Sequence, residues 1–337
     1  MMDCSNGDSD DDAKFPPIKL LLKKKISDEY ILHSAVNNLV QGQFAVVLTT
    51  HEILQFDVTK QTKILSVKGH EKSITGIKFS SKTPSLLFTS SIDGNIHAWD
   101  LRSSTSPVQS FSDDSDGPLK PLTCFDFNLD ETHLCAGTEL IRSDSFILFW
   151  DQRTSEKLGG YWNSHTDEIT QVQFSSTCDS GLATSSVDGL INIFDLTQST
   201  DDEALINTLN TECSVNKFAW GLDDHVSCIT GNEEYQFWSV EETKPSVSSS
   251  RESISTDSQC NIDYLIDTFV AGQSFCLAAG TNKGSVQLYC QKKKSLKTIG
   301  LLKNGHTDIV RTISYNKGHF LLTGGEDGQI CTWKISL

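Results

Sequence analysis

One stretch of sequence, residues 69–100, recurs along the chain with its landmarks at constant offsets. In the first copy, His70 is followed four, seven and nine positions later by Ile74, Ile77 and Phe79. The same offsets lead from His165 and His306 to apolar or aromatic residues. Each copy then has a turn aspartate with Ile three residues and an aromatic residue six residues after it; these aspartates are Asp93, Asp188 and Asp327. Such recurrence indicates that the chain repeats one structural unit.

The apolar segments between these landmarks are short and rich in Val, Ile, Phe and Thr, and Gly, Asp, Asn or Ser bound them. This pattern is typical of short β-strands joined by turns. With 337 residues, of which 37% are hydrophobic, the chain can bury the core of a single all-β domain.

One aromatic position per unit, here called the slot residue, sets the number of units. The slot residues are Phe56, Trp99, Trp150, Phe194, Trp238, Tyr289 and Trp333. Neighbouring slots are 43 to 51 residues apart, and the two longest intervals contain acidic or Ser-rich insertions at 113–117, 139–143 and 245–261. A period of about 40 to 45 residues with three or four strands is typical of a propeller blade. We therefore predict seven blades and a Ser-rich loop at 245–261.

The two ends of the chain complement each other. Ile18–Ile26 reads as a strand without a nearby partner, and the seventh unit stops four residues after Trp333, before its outermost strand. We predict that the N-terminal strand supplies this missing strand and closes the ring, which removes exposed sheet edges. The propeller then spans 18–337, and 1–14 is a disordered acidic tail.

Gly69-His70, the turn sequence ending in Asp93-Gly94, and Trp99-Asp100 occur together at the spacing of the WD-repeat family, which residues 18–337 resemble. The resemblance implies an all-β, seven-bladed β-propeller. One group within the family is similar in particular segments, which are 135–139, 165–174, 263–266, 280–284 and 321–327.

Three units combine His, Thr and Asp, a set that also occurs in catalytic sites. The resemblance implies instead a structural relay, in which the turn Asp holds the His, the His holds the Thr hydroxyl, and the hydroxyl accepts the Trp indole N–H. A buried indole N–H needs an acceptor, and a catalytic site is expected once rather than in several copies. The sets are His70, Thr89, Asp93 and Trp99; His165, Thr184 and Asp188; and His306, Thr323, Asp327 and Trp333. The second set has Phe194 in its slot, so we expect blade 4 to be less rigid there.

The net charge is −16, and residues 1–14, 113–116, 201–203 and 241–263 carry −13 of it. We therefore expect the acidity to lie in solvated tails and loops, which argues against a nucleic-acid-binding surface. The basic run Lys292–Lys294 is interpreted as a solvated strand end, and Gly280–Gly284 as a blade turn rather than a phosphate-binding loop.

The ten cysteines are irregularly spaced, and several lie in apolar strand patterns. They are interpreted as small buried residues in a reducing compartment. Neither C-x-x-C nor a Cys/His pair has metal-ligand spacing, so we expect no metal and no cofactor. An acidic N-terminus and the lack of an apolar run near 18 residues favour a soluble cytoplasmic or nuclear protein.

Two tetrapeptides match the pattern W-D-x-R, ending at Arg102 and Arg153. Many WD-repeat substrate receptors dock on cullin-4 ubiquitin-ligase adaptors through this pattern, so the resemblance implies such a role as one possibility. The alternative is that each arginine braces its own blade through a neighbouring carboxylate. Residues 246–258 are either a phosphorylated regulatory segment or ordinary disorder.

The sequence as a whole favours a monomeric, non-catalytic scaffold for protein–protein interactions. The loops that bear Asp93, Asp188 and Asp327, with the enlarged turn 140–143, form the expected partner surface because loops at a propeller mouth can vary freely. Arg142 is the expected anchor on that surface. A cullin-4 substrate receptor and an enzyme are the competing functions.

Overall fold

The computed structural model describes residues 18–60, 62–102, 106–115, 117–198, 200–221, 224–256, 258, 260–316 and 320–335. Within these residues the backbone forms seven four-stranded antiparallel sheets, so the predicted seven-bladed β-propeller is confirmed. The predicted acidic tail 1–14 lies outside the described residues.

Each sheet is one blade, and its strands are numbered along the chain. Blade 1 contains β2 (Ile31–Val36), β3 (Gln43–Leu48), β4 (Ile53–Asp57) and β5 (Thr62–Val67); blade 2 contains β6 (Ile74–Phe79), β7 (Leu86–Ser91), β8 (Asn95–Asp100) and β9 (Gln109–Ser112). Blade 3 contains β10 (Leu122–Phe127), β11 (His133–Thr138), β12 (Ile147–Asp151) and β13 (Lys157–Tyr161); blade 4 contains β14 (Ile169–Phe174), β15 (Gly181–Ser186), β16 (Leu190–Asp195) and β17 (Leu205–Asn210). Blade 5 contains β18 (Val215–Trp220), β19 (His225–Thr230), β20 (Glu234–Ser239) and β21 (Val247–Ser250); blade 6 contains β22 (Tyr264–Ala271), β23 (Ser274–Gly280), β24 (Val286–Lys292) and β25 (Ser295–Leu302). Blade 7 contains β26 (Val310–Asn316), β27 (Phe320–Gly325), β28 (Gln329–Lys334) and β1 (Lys19–Lys25).

The first strand of each blade lies innermost, and each inner strand contacts the inner strands of its two neighbours. The contact between β26 and β2 completes the ring. We call the end of the ring that carries the turns with Asp93, Asp188 and Asp327 the top face. The bottom face is the opposite end, which carries the turns after Asp100 and Asp151.

The hydrophobic core lies between neighbouring blades rather than within them. Phe88 and Phe111 of blade 2, for example, share one cluster with Phe125 and Trp150 of blade 3. Each slot residue lies in the third strand of its blade and is at most 5% exposed. Burial of such large side chains contributes roughly 1.5 to 3 kcal/mol each, which explains why the aromatic spacing of the sequence reports the blades.

The two chain ends pair as predicted. Strand β1 runs antiparallel to β28, from Lys19 opposite Lys334 to Lys25 opposite Gln329. Leu20 and Leu22 of β1 pack against the hydrophobic clusters on the two sides of blade 7. The ring is therefore held closed by backbone hydrogen bonds and by apolar packing between the ends of the chain.

A β-bulge occurs near the top of every inner strand, which the sequence did not predict. In each blade the pairing of the first two strands slips by one residue at this level, as between Ile74 and Gly76 in blade 2. The same slip occurs in the other blades. Bulges bend a strand and increase its twist, so this repeated irregularity shapes the mouth of the central channel.

The expectation that 245–261 is a loop is wrong for much of this segment. Val247–Ser250 is β21, the outer strand of blade 5, and Arg251–Thr256 is a short helix, α2. The buried side chains of Val247 and Ile254 anchor them, an apolar signal that the surrounding serines obscure. A second short helix, α1, spans Asp201–Ala204. Across the described residues, neither helix has the length or apolar character to cross a bilayer.

Removal of β1 tests the closure of the ring. We expect that a chain lacking residues 1–26 melts about 5 °C or more below the full chain, because the partly buried leucines of β1 contribute about 1 to 2 kcal/mol each and β28 loses its partner. A chain lacking only residues 1–17 is the control. Equal melting temperatures for the two truncations in differential scanning calorimetry would contradict the closure.

Candidate functional site

The predicted set in blade 2 forms one continuous hydrogen-bonded chain. His70 Nδ1 lies 2.8 Å from Asp93 Oδ2, and His70 Nε2 lies 2.8 Å from Thr89 Oγ1. The indole N–H of Trp99 donates to the same Thr89 oxygen at 2.9 Å. Asp93 also accepts the backbone N–H of Glu71. The set therefore ties the connection before β6 to the turn after β7 and to the third strand of its own blade.

Blade 7 repeats this series of hydrogen bonds, and blade 4 repeats part of it. His306 lies 3.1 Å from Asp327 and 2.8 Å from Thr323, whose hydroxyl accepts the Trp333 indole N–H at 3.0 Å. In blade 4, His165 lies 3.0 Å from Asp188 and 2.8 Å from Thr184. The series of hydrogen bonds ends at Thr184 because Phe194 has no N–H. The structure thus brings together all the residues that the sequence grouped.

Other blades satisfy their slot residues differently. The Trp150 indole N–H donates to the carbonyl of Ser112 in blade 2, at 3.1 Å. The Trp238 indole N–H donates to the side-chain oxygen of Gln236, also at 3.1 Å. A buried indole N–H thus finds an acceptor with or without a His/Thr pair, as expected for a structural requirement.

The sets are closed to solvent and their carboxylates are ionised. The three His side chains are at most 1% exposed and the three Asp side chains 6%. Burial raises the pKa of Asp327, but hydrogen bonds from His306 and the Thr307 amide outweigh burial and lower it to about 2. The same balance lowers the pKa of Asp93 and of Asp188. Because no substrate can reach groups enclosed in this way, the geometry supports the structural interpretation over the catalytic one.

The arginines of the W-D-x-R motifs both lie on the bottom face and pair with their own motif's aspartate. Arg102 donates to both carboxylate oxygens of Asp100, at 2.9 and 2.6 Å, and Arg153 does so to Asp151, at 3.1 and 2.6 Å. The bond from Arg102 lowers the pKa of Asp100 to about 2. This is the bracing contact that the sequence offered as the alternative. The two arginine side chains nevertheless remain 74% and 69% exposed.

Arg142 lies at the tip of a small hairpin on the top face of blade 3. Ile141 and Asp144 exchange backbone hydrogen bonds of 2.8 and 3.1 Å, so the predicted enlarged turn is a tight hairpin. Arg142 is exposed and has a positive φ of 65°. Near this hairpin, burial and the negative charges of Glu139 and Asp167 raise the pKa of Glu168. The surface therefore combines one projecting cation with a cluster of carboxylates.

Polar side chains of the inner strands form cross-links that the sequence analysis missed. Gln171 donates to the Phe218 carbonyl at 2.8 Å and accepts the Phe218 N–H at 3.1 Å. Gln173 makes the same pair of bonds with Trp220, at 3.1 and 3.0 Å. These amides take the place of a neighbouring strand along the inner edge of blade 5. The alternating Gln-x-Gln pattern in β14 was the available signal.

The inner strands enclose a central channel of about 610 Å³, which all seven blades line. His33, Lys217 and Asp267 are among the residues that line it. Burial raises the pKa of Asp267, and Lys217 partly opposes this. Burial and the charge of Lys217 lower the pKa of His33 to about 4. The channel thus holds groups whose ionisation is set by the surrounding protein.

The expectation that the acidic segments are solvated is wrong at Asp113. Its side chain is 2% exposed and lies 2.7 Å from both Lys120 and Lys157. Burial raises the pKa of Asp113, but hydrogen bonds from the two lysines outweigh it and lower it overall. Asp113 therefore joins the loop after β9 to the outer strand of blade 3, and its neighbours in sequence gave no sign of this.

The glycine-rich turn and the basic run that the sequence analysis singled out are a blade turn and a strand end. Gly284 has a φ of 79°, and a Cβ there would lie 2.5 Å from the His306 backbone, so its turn packs directly against the next blade. Lys292 ends β24 and is exposed.

No group of three or more His, Cys, Asp or Glu that could hold a metal ion occurs among the described residues. The nine cysteines in the described part of the chain are free thiols, and five of the six in strands are fully buried or nearly so.

Substitution of Asp93 tests the role of these sets. We expect Asp93→Ala to lower the free energy of unfolding by about 1 to 3 kcal/mol, because His70 and the Glu71 amide lose a buried acceptor. Chemical denaturation followed by tryptophan fluorescence measures the change. Asp114→Ala, at an exposed aspartate, is the control. Equal free energies of unfolding for Asp93→Ala and the control would show that these hydrogen bonds do not stabilise the fold.

Comparisons with known proteins agree with this architecture. The repeat described as "WD domain, G-beta repeat" matches residues 61–100, 156–195 and 294–334. The chain is 30% identical over 311 residues to WD repeat-containing protein GTS1 of Arabidopsis thaliana, covering 86% of this chain and 77% of that protein.

Two further relatives are less similar. WD repeat-containing protein 89 homolog of Dictyostelium discoideum is 25% identical, over 82% of this chain and 76% of the relative, in line with the subgroup resemblance of the sequence. GATOR2 complex protein Wdr59 of Drosophila melanogaster is 27% identical over 49% of this chain, but that match covers only 16% of Wdr59. The repeated hydrogen-bonded sets, the seven blades and the match to GTS1 over most of both chains together show that this chain belongs to the WD-repeat family of β-propeller proteins.

Proposed function

We propose that this chain is a non-catalytic scaffold for protein–protein interactions. The observation that carries the proposal is the enclosure of its His/Thr/Asp sets, whose side chains bind one another and leave no reactive group open to a substrate. The ring exposes its loops, its blade edges and the clefts between blades to other molecules. One relative, Wdr59, is named as a protein of a complex, which supports this class of function.

We propose the top face as the first partner surface, with Arg142 as its anchor. The tight hairpin holds the Arg142 backbone in place, so binding a partner costs little ordering of the loop. Arginine is enriched at the centres of protein interfaces because its planar guanidinium makes several hydrogen bonds at once. A partner that places a carboxylate opposite Arg142 and basic groups opposite Glu139, Asp167 and Glu168 fits this surface.

Charge reversal of Arg142 tests the proposed anchor. In affinity purification followed by mass spectrometry, we expect Arg142→Glu to lose at least one protein that the wild type recovers. Lys244→Glu is the control, since it makes the same charge change at an exposed site on the bottom face. An unchanged set of recovered proteins for Arg142→Glu would rule out this surface.

A cullin-4 substrate receptor is the second candidate function. The exposure of both motif arginines on adjacent blades of the bottom face favours it, because each guanidinium keeps an outward face beyond its bond to aspartate. The intramotif ion pairs count against it, since docking would have to share or break them.

The double variant Arg102→Ala, Arg153→Ala separates the two functions. If the chain is a receptor, the cullin-4 adaptor is recovered with the wild type and lost with the double variant, while Arg142→Glu on the opposite face retains it. If the chain is a general scaffold, no adaptor is recovered with any of the three proteins.

We further propose that the scaffold acts as a monomer in the cytoplasm or the nucleus. The free thiols of the described cysteines suit a reducing compartment. Each of the seven blades already has four strands within the described part of the chain, so the ring closes without a strand from a second copy.

A further inference from the structure

A cleft of about 640 Å³ lies between blades 3 and 4. Residues 158–162, from the outer strand of blade 3 onward, form one wall, and Asp179 and Ser180 of blade 4 lie on the other. Phe149 and Tyr161 form an aromatic floor, with ring centroids 5.2 Å apart. Leu158 and Trp162 at the rim are 53% and 45% exposed. We call this the blade 3–4 cleft.

The equivalent position between blades 5 and 6 carries a larger side chain. Leu182 and Leu277 are equivalent, because each faces the slot residue of its blade, so Ser180 and Phe275, two residues earlier, are equivalent as well. Phe275 packs against Phe237, with ring centroids 5.0 Å apart. Ser180 leaves that volume unfilled.

One glycine widens the opening further. Gly159 contributes no side chain to the wall formed by β13. A Cβ on Gly159 would have no atom within 4 Å, so the space beside it is open. In the described residues, β13 pairs only with β12, and its other edge has no partner strand.

The charge of the cleft is negative. Its described lining includes Asp130 and Asp179 but neither Lys nor Arg. Asp130 pairs with Lys82 of blade 2, at 2.9 Å, whereas no ion pair is found for Asp179 among the described residues. The cavity between blades 5 and 6 has the opposite character, since Lys293 and Lys294 line it without a carboxylate. The charged residues that line the two positions are therefore of opposite sign.

We propose that the blade 3–4 cleft binds an extended segment of a partner protein in which a large apolar side chain is flanked by lysine or arginine. The apolar side chain enters the space above Phe149 and Tyr161. The flanking cations face Asp179 and Asp130. An extended segment that lies along the free edge of β13 also finds backbone groups to bond, as in strand addition.

This binding mode rests on the scaffold function proposed above but uses a different surface. The cleft lies between the outer parts of blades 3 and 4, and Arg142 is not among the described residues that line it. Variants in the cleft therefore leave the proposed anchor unaltered, and the failure of one surface does not decide the other.

The chain provides a matched pair of variants for the test. Ser180→Phe fills the cleft with the residue that blade 6 carries at this position. Ser85→Phe makes the same change in blade 2, because Leu87 faces Trp99 as Leu182 faces Phe194. The backbone carbonyls of Ser85 and Ser180 each accept an N–H from the turn after the third strand, at 2.9 and 2.8 Å. The two variants therefore have the same net charge, and only Ser180→Phe changes the blade 3–4 cleft.

The probe is a short fluorescein-labelled peptide of alternating phenylalanine and lysine, with a twin in which every lysine is glutamate. Fluorescence anisotropy should show binding of the lysine peptide to the wild type and to Ser85→Phe. We expect Ser180→Phe to weaken that binding by about tenfold or more, because the apolar side chain loses its site. The glutamate twin should bind none of the three proteins.

Asp179→Lys provides an independent test through the charge of the rim. This variant should bind the lysine peptide more weakly than the wild type does, and it should bind the glutamate twin more tightly. Three results would overturn the proposal: no binding of the lysine peptide to the wild type, equal affinity for wild type and Ser180→Phe, or equal affinity for the two peptides. Self-association of the wild type in light scattering that Ser180→Phe abolishes would also overturn it, and would assign the cleft to a second copy of the chain.

Discussion

The pairing of β1 with β28 is the contact on which the rest of the ring depends. Each blade packs only against its two neighbours, so an open row of seven blades would leave two apolar blade faces in water. Pairing the chain ends places a four-stranded blade 7 between blades 6 and 1, and Leu20 and Leu22 then contribute to the clusters on its two sides. The closed ring removes both free faces at once and leaves only the short outer edges of the blades exposed.

Inside this ring, polar groups mainly hold neighbouring segments in position. A buried carboxylate such as Asp327 fixes the histidine of the preceding connection, and through a threonine hydroxyl it satisfies the slot tryptophan. Phe194 shows that a blade tolerates the loss of the last link. Gln171 and Gln173 do comparable work at the inner edge, where their amides bond the backbone of blade 5. Residue types that often occur in catalytic sites therefore recur here because each blade has buried polar groups that need hydrogen-bond partners.

The sequence predicted the parts of this structure that repeat. The slot residues set the number of blades because each fills the same buried site, and the histidines and turn aspartates share one spacing because one geometry joins them. Features that occur once could not be predicted in this way. Asp113 is buried because two lysines from other segments converge on it, and Val247–Ser250 is a strand because blade 5 needs an outer edge, although its composition is that of a loop.

Differences between blades also create the candidate interaction surfaces. The small residues Ser180 and Gly159 leave space in the blade 3–4 cleft, and a two-residue tip after Ile141 projects Arg142 from the top face. Both features rest on a scaffold that the closed ring keeps in register. Function in this chain is thus expected at the cleft and the hairpin rather than in the repeated His/Thr/Asp sets.

Hydrogen exchange measured by mass spectrometry tests the closure of the ring most directly. The account predicts that amides of β1 that bond to β28 exchange as slowly as those of β28 and β27, because the three strands belong to one sheet of the closed ring. Exchange of β1 at the rate of an unstructured peptide, while β27 and β28 stay protected, would contradict it.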